Sequence, residues 1–159
     1  MQTKVNPIPT GYEAVTPYLI IRGASQAIDF YKKAFGATEL MRIGGPDGKI
    51  GHAEIRIGKG ILMISDEAPQ MGHKSPQSFG GTPVGLAFYS EDVDALVKRA
   101  TAAGAKVTQP VENKFYGDRA AGLTDPFGFT WYVATHVEDV PPEEMQKRAA
   151  AMHKEGGCA

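Results

Sequence analysis

The chain has 159 residues, of which 42% are hydrophobic and 22% are charged, with 17 basic against 18 acidic side chains. This composition is typical of one ordinary globular domain, long enough to bury a core without disulfides or a structural metal. We therefore expect a single domain over residues 1–159. A formal net charge of −1 offers no basic surface to a phosphate backbone, so we expect no nucleic-acid partner.

Metal-ligating side chains are scarce. The chain has one cysteine, Cys158, next to its end. A single cysteine cannot form a cysteine-type zinc cluster. The four histidines are His52, His73, His136 and His153. No run reaches the roughly 18 apolar residues of a membrane span, and residues 1–15 lack the pattern of a signal peptide. We expect a cytoplasmic protein with no membrane partner.

The first half of the chain is predicted as one strand, one helix and three further strands. A run of β-branched and aromatic residues predicts the first strand at 15–21. The next segment places Ile28, Tyr31 and Phe35 on one helical face, with Ser25 able to cap the start and Gly36 at the stop. The three remaining strands of this half are predicted at 38–43, 52–57 and 61–65.

The second half repeats this order after a long connecting loop at 67–82, which is rich in Gly, Pro, Ser and Gln. A strand is predicted at 84–90, and the segment 91–107 contains a helix that Gly104 closes. Strands follow at 106–109, 119–124 and 130–135, and Asp125-Pro126-Phe127-Gly128 is predicted as the turn into the last of them. The pattern predicts two paired β-α-β-β-β modules, at about 15–66 and 83–136, and a C-terminal helix at about 141–154.

Alternation in the third strand separates two faces. His52, Glu54 and Arg56 share one face, whereas Ala53, Ile55 and Ile57 share the other, which should pack on a helix. The polar face points either to bulk solvent or into a partly wet interior. His52 and Glu54 are spaced as an orienting pair that could tune a general base or bind a polar ligand group.

The first module contains RGASQAIDFYKKAFGA, and the second contains EDVDALVKRATAAGAKV followed by YGDRAAGLTDPFGFTWYV. These motifs, in this order, resemble the vicinal oxygen chelate superfamily, which includes glyoxalase I, bleomycin-resistance proteins and extradiol dioxygenases. TPYLIIRG, HAEIRIG and LMISDE are similar to its PhnB-like branch. The resemblance implies an α+β fold in which the paired βαβββ modules form a curled, cup-shaped mixed sheet with helices outside. It also implies a small-molecule ligand in the cup and a homodimer.

The resemblance further implies four metal-ligand positions, which fall here at Thr16, Met63, Gly85 and Tyr132. None supplies the imidazole, carboxylate or thiolate that such a metal needs. We therefore expect no metal cofactor, and metal-free, drug-binding members become the closer functional analogy. A displaced metal site is the alternative, built from His52 and Glu54 with a donor such as Asp66 or Asp118.

If the family positions face the cup, period 2 brings Tyr18 and Tyr89 to the same side as Tyr132. Carrying the offset between the first strands onto the third strands adds Arg119 to that side. Tyr116 could then stack on a planar ligand while Arg119 supplies charge. The alternative is that Arg119 pairs with Asp118 or Asp125.

We expect a protein that binds a drug-like or aromatic compound without the usual metal, with sequestration of the compound as one role. The alternative is a lyase, isomerase or dioxygenase-type enzyme with a displaced metal site, or with His52 and Glu54 as acid-base catalysts. Whether the chain is an enzyme stays open at this point. The candidate ligand-binding residues are Thr16, Tyr18, His52, Glu54, Met63, Tyr89, Tyr116, Asp118, Arg119 and Tyr132.

Overall fold

A computed structural model describes residues 5–45 and 47–154, with side chains described as far as Met152. Cys158 and the imidazole of His153 lie outside the described residues. The chain divides into two compact units, with the boundary between Thr82 and Pro83. No helix in the described part of the chain is both long and apolar enough to cross a lipid bilayer.

The first unit contains a four-stranded mixed sheet with one helix between its first two strands. The elements are β1 (Tyr18–Ile21), α1 (Ala24–Phe35), β2 (Thr38–Gly44), β3 (Ile50–Ile57) and β4 (Gly60–Asp66). The strand order is β1-β4-β3-β2, in which β1 runs parallel to β4 and the other pairs are antiparallel. A 3₁₀ turn (Pro69–Met71) and the short helix α2 (Pro76–Phe79) follow.

The second unit has the same topology. Its elements are β5 (Gly85–Tyr89), α3 (Val93–Ala102), β6 (Lys106–Asn113), β7 (Asp118–Thr124) and β8 (Thr130–His136), followed by α4 (Pro142–Lys154). The order β5-β8-β7-β6 again places the first strand parallel to the last. The predicted α+β fold with two βαβββ modules and a C-terminal helix is confirmed.

Each sheet has one apolar face against its helix. In β3, Ala53 and Ile55 are fully buried beneath α1, while His52 and Glu54 project from the opposite face. The predicted alternation is confirmed. In the second unit Leu123 and Val133 are likewise fully buried on the side of α3. Below, the polar face of each sheet is the face opposite α1 in the first unit and opposite α3 in the second.

The start of α1 differs from the prediction. Ser25 lies inside the helix, and the residue before the first turn is Gly23, which offers no side-chain cap. Asp66, at the end of β4, caps the helix instead, because its Oδ1 accepts from the backbone N–H groups of Gly23 and Ala24 at 3.0 Å. Its Oδ2 accepts from Ile50 N at 2.7 Å. A carboxylate at a helix N-terminus also complements the helix dipole.

Two other sequence predictions needed correction. β1 begins at Tyr18 rather than at residue 15, since Pro17 has no N–H to contribute to a ladder. The segment 67–82 is more ordered than a plain loop, because Ser75 caps α2 and is itself fully buried. Glu67 binds this segment through the hydroxyls of Ser75 and Ser78, both at 2.7 Å. These bonds and the Arg22 guanidinium hold the pKa of Glu67 at about 2, with the Ser78 bond contributing most.

Candidate functional site

A chain of four hydrogen-bonded side chains lies on the polar face of the first sheet. Tyr18 and Glu54 are both cross-strand partners of Met63, and His52 stands two residues from Glu54, so all of them share this face. Tyr18 Oη is 3.1 Å from His52 Nδ1, and His52 Nε2 is 3.1 Å from Glu54 Oε1. The hydroxyl of Tyr12 donates to Glu54 Oε2. The structure thus brings three predicted site residues together and adds Tyr12.

These hydrogen bonds select one tautomer of the neutral His52 ring. The bond from Tyr12, and next the bond from His52, lower the pKa of Glu54, so this carboxylate is ionised and can only accept. His52 Nε2 must therefore carry the ring proton. The lone pair on Nδ1 is left to accept the hydroxyl of Tyr18.

A second cluster lies on the polar face of the second sheet, around the buried carboxylate of Asp118. Tyr89 donates its hydroxyl to Asp118 Oδ2 at 2.7 Å, which raises the pKa of Tyr89. His136 Nδ1 is 2.8 Å from Asp118 Oδ1, and its Nε2 is 2.9 Å from Asp139 Oδ1. Both ring nitrogens face carboxylates, so the pKa of His136 is raised from 6.5, with Asp118 contributing most.

The raised pKa of His136 predicts a pH-dependent stability. Its contribution is fully present below about pH 6.5, the pKa expected of the unfolded chain, and is lost as the pH rises through the higher folded-state pKa. Urea unfolding at about pH 5.5 and about pH 8.5 should therefore show a larger fall in unfolding free energy for the native chain than for His136→Gln. Equal falls in the two proteins would show that Asp118 and Asp139 do not stabilise the protonated form of His136.

A cavity of about 820 Å³ opens beside the second cluster. Three aromatic rings contribute to its wall, from Phe115, Tyr116 and Tyr132. Phe115 and Tyr116 meet edge to face with ring centroids 5.1 Å apart. The hydroxyls of Tyr116 and Tyr132 are hydrogen-bonded to each other, and burial, followed by this bond, raises the pKa of Tyr132.

Charged side chains complete the wall of this cavity. Arg148 of α4 binds Glu138 through two bonds, at 2.9 and 2.7 Å, and donates to the backbone oxygen of Phe115 at 3.2 Å. Lys114 pairs with Glu112 at 2.5 Å. Met152 of α4 adds an apolar group. The cavity therefore combines aromatic faces with paired charges of both signs.

Arg119 is not where the sequence analysis placed it. Its cross-strand partner is Thr135, on the side of β7 that faces α3, opposite to Tyr132. The guanidinium forms a two-pronged ion pair with Asp94 of α3, at 2.6 and 2.8 Å, and also donates to Asn113. Its partner is thus Asp94, rather than Asp118 or Asp125 as the alternative had it.

The misplacement has a simple geometric cause. Tyr18 and Glu54, which both pair with Met63, are 36 positions apart. Their counterparts Ala87 and Gly122, which both pair with Tyr132, are 35 positions apart. A constant offset is therefore wrong by one residue in the third strand, and a slip of one residue moves a side chain to the other face of a sheet.

The family model described as the Glyoxalase/Bleomycin resistance protein/Dioxygenase superfamily matches residues 15–133. The chain belongs to this superfamily. A relative from Mycobacterium bovis, named only as an uncharacterised protein, is 46% identical over 146 residues, which cover 90% of this chain and 94% of the relative.

Solved structures of the superfamily fold are also similar. The crystal structure of TioX from Micromonospora has a TM-score of 0.61 and 26% identity, and the match covers 81% of this chain and all of TioX. The fosfomycin resistance protein FosX from Listeria monocytogenes, in a complex with manganese(II) and a dihydroxypropylphosphonic acid, has a TM-score of 0.60. At 19% identity, covering 86% of this chain and 98% of FosX, that likeness shows the fold alone. The PhnB-like branch stays a prediction.

The side chains at the expected metal positions of the superfamily do not fit a divalent cation. Thr16 lies before β1, Met63 offers a thioether, Gly85 has no side chain, and the Tyr132 hydroxyl is bound to Tyr116. Within residues 5–45 and 47–154, no group of three His, Cys, Asp or Glu side chains is arranged to hold a metal. The alternative donor Asp66 already accepts three backbone N–H groups.

Three residues of the two clusters and the cavity were missed by sequence reasoning. Tyr12 lies outside any strand, and nothing in its surroundings indicated that it reaches Glu54. Arg148 was only one of several charges on the predicted α4. His136 could have been found, because the predicted hairpin about the Asp125-Pro126-Phe127-Gly128 turn places it directly opposite Asp118.

Proposed function

We propose that this chain binds a small organic molecule with a planar aromatic group, and that it does so without the metal of its superfamily. The observation that carries the proposal is the cavity of about 820 Å³ in the second unit. Its size is within the range of roughly 300 to 1,000 Å³ found for ligand sites. Tyr116 and Phe115 offer ring surfaces to stack on, as expected from the sequence for Tyr116.

The charges of the cavity narrow the class of ligand. Lys114 pairs with Glu112 and Arg148 pairs with Glu138, so the positive charge of each side chain is already compensated. A strongly charged ligand would have to compete with the carboxylate that already pairs with Lys114 or Arg148. A planar, largely uncharged aromatic compound with hydrogen-bonding substituents fits best. Sequestration of such a compound, a homodimer and a cytoplasmic location remain predictions.

Fluorescence titration with 9-aminoacridine, a cationic planar dye, and with the neutral planar compound acridone tests the proposal. We expect acridone to bind, and Tyr116→Ala to weaken its binding about tenfold through the lost stacking surface. Phe79→Ala is the control, since Phe79 is an exposed ring in the first unit and should not affect binding. Failure of acridone to bind, or equal weakening by both substitutions, would contradict the proposal.

A further inference from the structure

Tyr18 is the end of the hydrogen-bonded chain in the first unit, and the proposed ligand cavity of the second unit does not use it. Carboxylate, imidazole and hydroxyl follow one another in the order Glu54, His52, Tyr18. This order is the one in which a hydroxyl becomes a nucleophile, because the imidazole takes the hydroxyl proton and the carboxylate orients the imidazole. Here the hydroxyl belongs to a phenol.

The carboxylate of Glu54 orients the imidazole of His52, and both of its oxygens take part. Glu54 Oε1 accepts the Nε2 proton of His52, and Glu54 Oε2 accepts the hydroxyl of Tyr12. Because both carboxylate oxygens accept hydrogen bonds, the orientation of the carboxylate is fixed. The imidazole ring of His52 is thereby held in the orientation that faces Tyr18. The rings of Tyr18 and His52 meet nearly at right angles, with centroids 5.6 Å apart. Nδ1 is therefore aimed at the phenol oxygen.

Tyr18 is also accessible. The residue is 50% exposed, and it lines a cavity of about 380 Å³ that is formed entirely within the first unit. Lys49 lines the same cavity, and its ammonium group is only loosely held, 3.9 Å from Asp47. A cation in the same cavity can approach negative charge that develops on a bound carbonyl oxygen.

We propose that Tyr18 is a nucleophile for acyl transfer, which takes acyl groups from activated esters that enter this cavity. The phenol oxygen attacks the acyl carbonyl carbon while the phenol proton moves to His52 Nδ1. The adduct then breaks its bond to the leaving oxygen, and the proton passes from His52 to that oxygen or to water. The product is an aryl ester of Tyr18. Water attacking this ester, again with His52 as base, releases the carboxylic acid and restores the phenol.

The experiment is acetylation by p-nitrophenyl acetate, with peptide mass spectrometry to locate the acetyl group. Tyr89 is a matched comparator within the same protein, since it is 65% exposed but donates to the Asp118 carboxylate and has no imidazole as its acceptor. We expect Tyr18 to be acetylated about a hundredfold faster than Tyr89, at the lower end of the usual contribution of a general base. This comparison needs no variant.

Two variants extend the test. Tyr18→Phe should abolish the labelled peptide and the initial release of p-nitrophenolate. His52→Ala should lower acetylation of Tyr18 to the level of Tyr89. Equal rates at Tyr18 and Tyr89, an unchanged rate in His52→Ala, or acetyl groups on Lys49 alone would overturn the proposal. Dye binding in the second unit is a separate measurement, so failure of one does not decide the other.

Discussion

Replacing Asp125 by alanine should lower the free energy of unfolding by about 4 kcal/mol, because it removes the acceptor of three buried hydrogen bonds. Oδ1 of this buried carboxylate accepts the backbone N–H groups of Phe127 and Phe129, both at 2.9 Å. Oδ2 accepts the indole N–H of Trp131 at 2.8 Å. The carboxylate thus joins the turn between β7 and β8 to the core under α3. Urea unfolding of the native and variant chains measures the difference.

Asp125→Asn is the matched control for this prediction. Its amide oxygen can keep the two backbone bonds, while its NH₂ group must face the N–H of Trp131, a donor against a donor. We expect a loss of about 1 to 2 kcal/mol, clearly less than for alanine. If alanine and asparagine were equally destabilising, or if alanine cost less than about 1 kcal/mol, these buried hydrogen bonds would not be the reason.

Gly117→Ala should be destabilising by about 3 to 5 kcal/mol and should also weaken ligand binding. Gly117 has φ of 98°, and a Cβ atom added to it would lie 2.1 Å from the backbone oxygen of Glu138. That oxygen cannot simply move away, because the N–H groups of Val137 and Glu138 both bond to the oxygen of Gly117. The strain therefore falls on the segment that carries Tyr116 to the cavity.

Gly36→Ala is the control that separates the clash of the added Cβ atom from the cost of placing alanine at positive φ. Gly36 also has positive φ, 69°, but an added Cβ meets nothing within 4 Å. It should cost only about 1 kcal/mol and should leave binding of the aromatic probe unchanged. Thermal unfolding measures the loss of stability in both variants, and fluorescence titration with acridone measures their ligand binding. If Gly117→Ala lost no more stability than Gly36→Ala, the backbone at Glu138 would be able to move away from residue 117 at little cost.

The sequence predicted topology better than it predicted side-chain partners. The order of elements, the alternation of His52, Glu54 and Arg56, and the stop at Gly36 all rest on local pattern, and the structure agrees with each. Asp125 shows the limit. Its turn was predicted from the Asp-Pro-Phe-Gly sequence, yet the bond from its carboxylate to Trp131 depends on how the hairpin packs. Such partners are set by tertiary packing, which local periodicity does not contain.

The candidate site shows the same division. Tyr18, His52 and Glu54 were brought together by strand period, but Tyr12 comes from a segment with no regular structure and could not be placed. Arg119 was misplaced by a single residue of register, and its true partner Asp94 lies on a helix. Alternation can assign a residue to one of two faces. It cannot say which face a strand presents when the preceding connection changes length by one residue.

That single-residue difference between the two units means that they are not interchangeable copies, even though their strands connect identically. In a gapless alignment that keeps the 69-position offset between Tyr18 and Ala87, the column of Glu54 would hold Leu123 rather than Gly122. Met63 and Tyr132 are again 69 positions apart, so if the halves arose by duplication, one deletion before the third strand and one insertion after it would account for the difference. Roles should therefore be transferred between the halves through cross-strand partners, and not along aligned columns.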